Sequence, residues 1–199
     1  MNLISVRTSA ILGILAPTVF LALYVTAMSI DDTYEFGENY LSDLGVGNSA
    51  WAFNSAVISA GCLMLLMCLF GLRPVLGALL ISRAAVLLFL IASIFLVLVG
   101  VFNEDFGDLH GVVSYGFFLS MYICFGVLTV AFHRSKALGT IATIETGIAF
   151  AIGLVVSVGG GTPAVETIAV FVVLVWGYLV SIELLLKEKR ARVPRPGST

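Results

Sequence analysis

The chain has 199 residues, 60% of them hydrophobic and 11% charged, with a formal net charge of −2. A soluble domain is usually about 45–50% apolar and about 25% charged, so this composition excludes an ordinary water-soluble domain and places the chain in a bilayer. There is no basic surplus and no glycine-rich phosphate loop of the Walker kind, so nucleic acid is not an expected partner. Cys62, Cys68 and Cys124 all lie inside apolar runs, where thiols behave as small hydrophobes, and their odd number argues against a disulfide framework.

A spanning helix needs about 20 mostly apolar residues to cross a hydrocarbon core about 30 Å thick. Six runs meet that test: residues 9–29, 50–72, 76–102, 111–132, 140–158 and 164–186. They are long and lack apolar/polar alternation, which favours helices over barrel strands. The expected fold is therefore all-α, a polytopic integral membrane bundle of six transmembrane helices spanning residues 1–186, with a basic tail over 187–199. The first apolar run exceeds the usual ~7–15 residues of a signal core, so it is expected to be a span and not a cleaved leader.

Six spans put both termini on one side. That side receives all ten basic residues: Arg7, Arg73, Arg83, Arg134, Lys136, Lys187, Lys189, Arg190, Arg192 and Arg195. The other side receives Asp31, Asp32, Glu35, Glu38, Asp43, Glu104, Asp105, Asp108 and Glu166. By the positive-inside rule the termini are cytoplasmic and the acidic loops face outward across the cell membrane. The tail is expected to fray into solvent or lie near anionic headgroups. Of the connections, only residues 30–49 are long.

Chemistry-bearing residues gather near the acidic end. Asp43 precedes the second span and Asn54 lies about one turn inside it. Phe102-Asn103-Glu104-Asp105-Phe106-Gly107-Asp108-Leu109-His110 links the third and fourth spans, and Glu166 sits near the start of the sixth. His110 and Ser114 are four residues apart and share a helix face. Asp43, Asn54, Asn103, Glu104, Asp108, His110 and Glu166 are therefore expected to converge in one outward-facing cup that binds a ligand, with His110 and Asp43 the candidate catalytic residues. Plainer roles also stand: Asp43 as a turn former or cap, Asp108 as an N-cap, Asn54 as a tie between helices, Glu104, Asp105 and Asp108 as a solvated acidic loop, and His110 as a structural hydrogen bond. A histidine beside carboxylates is biased toward its charged form and can bond a carboxylate or a metal, so a divalent cation is one ligand to consider. At the basic end, Arg83 and Glu145 fall at similar depth and are expected to form a structural ion pair, unless Arg83 snorkels to lipid phosphate. His133, beside Arg134 and Lys136, reads as a surface flank.

Tyr40-Leu41-Ser42-Asp43-Leu44-Gly45, Phe53-Asn54 and His110-Gly111 resemble the six-span bacterial and archaeal family catalogued as domain of unknown function 998. The resemblance covers nearly the whole chain. It implies topology and candidate positions, and no activity. Where that family often has Phe-Pro, Phe102-Asn103 stands here. Ser42, Asp43 and His110 also resemble positions of the alkaline ceramidase and adiponectin-receptor superfamily of intramembrane zinc hydrolases. That superfamily implies three histidines on the metal; here a site of three protein ligands and a water would need His110 plus carboxylates.

Three functions fit these residues. In the first, a binding or accessory protein holds a cation, a basic group or a lipid headgroup in the acidic cup, with membrane lipids and a membrane protein as partners. In the second, an intramembrane lipid-modifying hydrolase or transferase uses His110 and Asp43, with or without a metal. The third is a small transporter, against which stands the lack of any charge near mid-membrane.

Overall fold

The computed structural model describes residues 3–158 and 160–192. Among them the chain is all-helical, with six helices long and apolar enough to cross a membrane; the protein is a multi-pass membrane protein. We label them α1 (Leu3–Ile30), α2 (Ala50–Met67), α3 (Leu80–Val101), α4 (Asp108–Ser135), α5 (Thr140–Val158) and α6 (Pro163–Arg192). Each packs on its neighbours in the chain, and α6 returns to α1, closing an up-and-down ring.

Local sequence explains the departures from simple helices. A π-helical turn, Cys68–Leu72, and a short helix, Arg73–Leu76, prolong α2. Pro74 has no N–H to donate back along the helix, and a π turn absorbs such a mismatch. Gly77 (φ 75°) then reverses the chain, so the third helix begins at Leu80 and not at 76 as the hydrophobic run alone implies. Gly107 (φ 54°) turns the short 3₁₀ segment Glu104–Phe106 into α4, which places Asp108 and His110 inside the first turn of the helix. At the start of α6, Thr162 accepts the Val165 N–H (3.3 Å) and Pro163 takes the first helical position, an N-terminal arrangement that satisfies an orphan donor.

The sixth helix also outruns its expected end. It continues through Arg192, and the Lys187 Nζ donates to the Ala137 carbonyl below α4. Basic side chains at a helix C-terminus complement its dipole, so the stretch 187–192 is helix where a frayed tail was expected. Residues 193–199 lie outside the described residues.

The core is centred on Trp176 of α6, which stacks at a tilt against Phe125 (5.0 Å) and Phe89 (5.6 Å) and donates its indole N–H to Thr146 of α5 (3.0 Å). A second apolar cluster fills the acidic end under the long loop, where Leu41 and Leu44 are fully buried against α1 and α2. Burying a leucine contributes roughly 1.5–3 kcal/mol, which fixes the loop onto the bundle. Phe36 adds an edge-on contact to Phe171 of α6.

Helices α2 and α3 approach most closely at two glycines. A Cβ on Gly61 would stand 2.9 Å from the Val97 nitrogen, and one on Gly100 would stand 2.8 Å from the Asn54 carbonyl oxygen. Both obstacles are backbone, so neither can swing aside. Gly100→Val is expected to cost about 1–3 kcal/mol by overpacking and to lower the melting temperature in detergent by several degrees. Gly111→Ala, which meets nothing within 4 Å, is expected to raise it slightly because helix interiors disfavour glycine. Equal melting temperatures for the two variants would contradict the close-approach account.

Candidate functional site

The acidic end is assembled around residues 40–45. Asp43 Oδ2 accepts the Tyr40 N–H (2.9 Å), closing the 3₁₀ turn Leu41–Gly45. Glu166, one turn into α6, accepts the Leu41 N–H at 2.6 Å, and the Tyr40 hydroxyl donates to the Gly161 carbonyl at 2.7 Å. The turn is thereby tied to α6 at Glu166 and to the α5–α6 link at Gly161. This places buried Ser42 beside both Glu104 and Glu166, and the Asp43 carboxylate beside that of Glu104. Burial, and then the adjacent Asp43 carboxylate, push Glu104 above the usual carboxylate range, against the opposing pull of Ser42 and His110.

The asparagines serve the backbone. Asn54 and Asn103 each donate an amide N–H to the Gly45 carbonyl at 2.9 Å. Gly45 has to be glycine for this, since a Cβ would come within 2.9 Å of Asn54 Oδ1. Asn103 also donates to the exposed Asp105 (3.3 Å). Both amides therefore tie the loop to α2 and to the α3–α4 link, with their donors committed.

His110 is held at both ring nitrogens. Nδ1 lies 2.7 Å from the Phe102 carbonyl oxygen and Nε2 lies 3.3 Å from Ser114 Oγ. A carbonyl can only accept, so Nδ1 carries the proton and, in the neutral ring, Nε2 accepts from the serine hydroxyl.

Below these residues an open groove of about 580 Å³ runs down between α4 and the α5–α6 hairpin. Its upper end is polar: Ser42, Glu104, His110, Ser114 and Glu166. Farther from that end along α4 and α6 it is lined by Phe118, Leu119, Tyr122 and Ala169. Tyr115 and Leu119 on the rim are exposed, 73% and 52%, so the groove opens sideways at the level of the spans. Tyr122 is only 7% exposed, and its hydroxyl is buried with no hydrogen-bond partner. A second, smaller cavity of about 70 Å³ lies inside the ring, walled by Phe20, Val57, Leu96, Phe117 and Trp176 among others. The two meet at Ser42, Ser114, Phe118 and Glu166, which line both.

The geometry thus brings Asp43, Glu104, His110 and Glu166 to one end and sets Ser42 and Ser114 among them. It does not place Asp43 on His110, whose ring is oriented by the Phe102 carbonyl. Asp108 is exposed and borders a shallow depression with Phe95 and Val112 on the flank of α4. Among the described residues no three His, Cys, Asp or Glu side chains stand together as a metal-holding group, so His110 plus carboxylates do not form the zinc set considered above. Arg83 and Glu145 are not paired. Helix α4 stands between α3 and α5, Arg83 is exposed, and both Glu145 carboxylate oxygens are buried without a hydrogen-bond partner, facing Glu183 electrostatically. His133 is exposed at the basic end. Tyr122 was missed in the sequence because a tyrosine within an apolar helix carries no local mark of an unpartnered hydroxyl; the four-residue spacing to His110 did mark Ser114.

A family model described as "Protein of unknown function (DUF998)" matches residues 14–183, and the chain belongs to that family. No curated protein and no solved structure matches it.

Glu104 makes stability pH-dependent. Its carboxyl holds a proton to higher pH in the fold than in the unfolded chain, where the ordinary value is 4.5. Folded-state stability from this group is thus full below that value and is lost as pH rises through the raised one. The melting temperature in detergent is expected to fall across that window for the wild type, and less steeply for Glu104→Gln. Superimposable pH profiles would refute the assignment.

Proposed function

We propose that this DUF998 member binds an amphiphile, with a basic or hydrogen-bond-donating head at the acidic end and its chain along the α4–α5–α6 groove. The observation that carries this reading is the groove's polarity gradient: carboxylates and an imidazole above, hydrocarbon side chains below, and a lateral opening between. A volume of about 580 Å³ lies within the roughly 300–1,000 Å³ usual for ligand pockets. Among the described residues no Lys or Arg lies at this end, where Asp43, Glu104 and Glu166 gather, so a cationic head is favoured there over a bare phosphate. Such a head gains from these carboxylates; two unit charges 4 Å apart attract by about 4 kcal/mol at an effective dielectric of about 20. The buried hydroxyl of Tyr122 supports a ligand that carries a polar linkage partway down the groove, because an unpartnered buried hydroxyl is costly.

By the distribution of basic residues, the acidic end faces outward and the ligand enters from the outer leaflet of the cell membrane. The protein then acts in a binding or accessory role toward membrane lipids or a lipid-linked partner.

The test is mass spectrometry of amphiphiles that co-purify in mild detergent. Wild-type protein is expected to retain an amine-bearing amphiphile. Tyr122→Phe is expected to retain roughly 2–10-fold less, in keeping with one net hydrogen bond of about 0.5–1.5 kcal/mol, with no loss of melting temperature. Glu104→Gln is expected to weaken retention as well. If all three proteins carry the same amphiphiles in the same amounts, the groove is not the binding site.

A further inference from the structure

Several hydroxyls on these membrane helices bond back to their own helix. Thr18, Ser93, Ser120, Thr129, Ser157 and Ser181 each donate to the carbonyl four residues back, at 2.6–2.8 Å. That is the usual fate of a helical Ser or Thr with no other partner. Ser114 instead lies 3.3 Å from a side-chain atom, Nε2 of His110. The opposite face of that imidazole is clamped by the Phe102 carbonyl at 2.7 Å. The clamp is itself braced. Phe106 N–H donates to the Asn103 carbonyl (3.0 Å), Gly107 N–H donates to that of Glu104 (2.9 Å), and the Phe102 and Phe106 rings meet edge to face at 5.3 Å.

We infer that Ser114 and His110 are a nucleophile–base pair that cleaves an ester of the amphiphile held in the groove. Three observations carry this. The tautomer enforced by Phe102 leaves the Nε2 lone pair directed at the serine hydroxyl, which is the arrangement a general base requires. Both side chains are only half-buried and line the open groove, so substrate and water reach them. Ser114 lines both the groove and the smaller apolar cavity, so an ester at the serine has the groove on one side and a small apolar recess on the other.

The steps balance with water as the second reactant. Ser114 Oγ forms a bond to the ester carbonyl carbon while its proton passes to His110 Nε2. The carbon–oxygen bond to the alcohol part then breaks, and that oxygen takes the proton from Nε2. Water attacks the acyl-serine, its proton passes through His110 to Oγ, and the products are a carboxylic acid and an alcohol. Tyr122, the groove hydroxyl without a partner, is available to the carbonyl oxygen. The Phe102 carbonyl is a positioning group and touches no substrate.

This inference rests on the amphiphile reading for its substrate but is tested separately. Full-length protein in detergent micelles is treated with an alkyl fluorophosphonate, which phosphonylates activated serines, and is then analysed by intact mass and peptide mapping. One adduct on Ser114 is expected. Ser114→Ala should carry none, and His110→Gln should react at least about 100-fold more slowly, in the range of general-base contributions, with its melting temperature preserved. No adduct on the wild type, an adduct on another serine, or an undiminished rate in His110→Gln would overturn the inference. Should His110→Gln fail to fold, the wild type and Ser114→Ala still decide. Retained amphiphile without an adduct leaves the binding reading standing and removes this one. An adduct on Ser114 with no retained amphiphile does the reverse.

Discussion

The acidic end of the bundle depends on one clasp, the Glu166 carboxylate on the Leu41 N–H. Leu41, Ser42, Leu44 and Gly45 are buried, so their backbone groups must find partners, each unpaired one being costly. In residues 40–45 the partners come from far along the chain. Glu166 takes the Leu41 N–H, and Asn54 and Asn103 take the Gly45 carbonyl. Leu41 and Leu44 then sink between α1 and α2. The long loop is thereby a fixed cover on that end, and Ser42 and Asp43 are delivered to Glu104 as a consequence.

The clasp also decides which polar groups remain for a ligand. Asp43 closes a turn, and both asparagines donate to backbone. What the groove presents instead is Glu104, Glu166, the His110–Ser114 pair and the Tyr122 hydroxyl. Carboxylates crowded without a lysine or arginine gain from a cation or a proton. Burial first, and the Asp43 carboxylate second, raise the affinity of Glu104 for its proton.

The ring explains why two compartments exist. Helices packed as a ring leave an interior, which Trp176 with Phe89 and Phe125 helps to fill. The groove arises because the acidic-end portion of α5 stands apart: Val155 and Val158 are exposed. At the basic end the same packing places α4 between α3 and α5, which keeps Arg83 from Glu145 and leaves that carboxylate facing Glu183.

Spans and topology were legible in the chain alone, because a bilayer demands about 20 apolar residues per crossing whatever their neighbours. Charge segregation and the i, i+4 spacing of His110 and Ser114 were legible for the same reason: they follow from local order along a helix. Starts and stops were less so. Gly77 and Gly107 turn the chain through positive φ, and the continued helix through Arg192 draws on the Lys187 contact with Ala137. Which acid meets which group was set only by the packed fold, since Glu166 and Leu41 are 125 residues apart and no local pattern records their bond. The groove, the junction at Ser114 and the free hydroxyl of Tyr122 belong to that same level, because a cavity is a property of the space between helices.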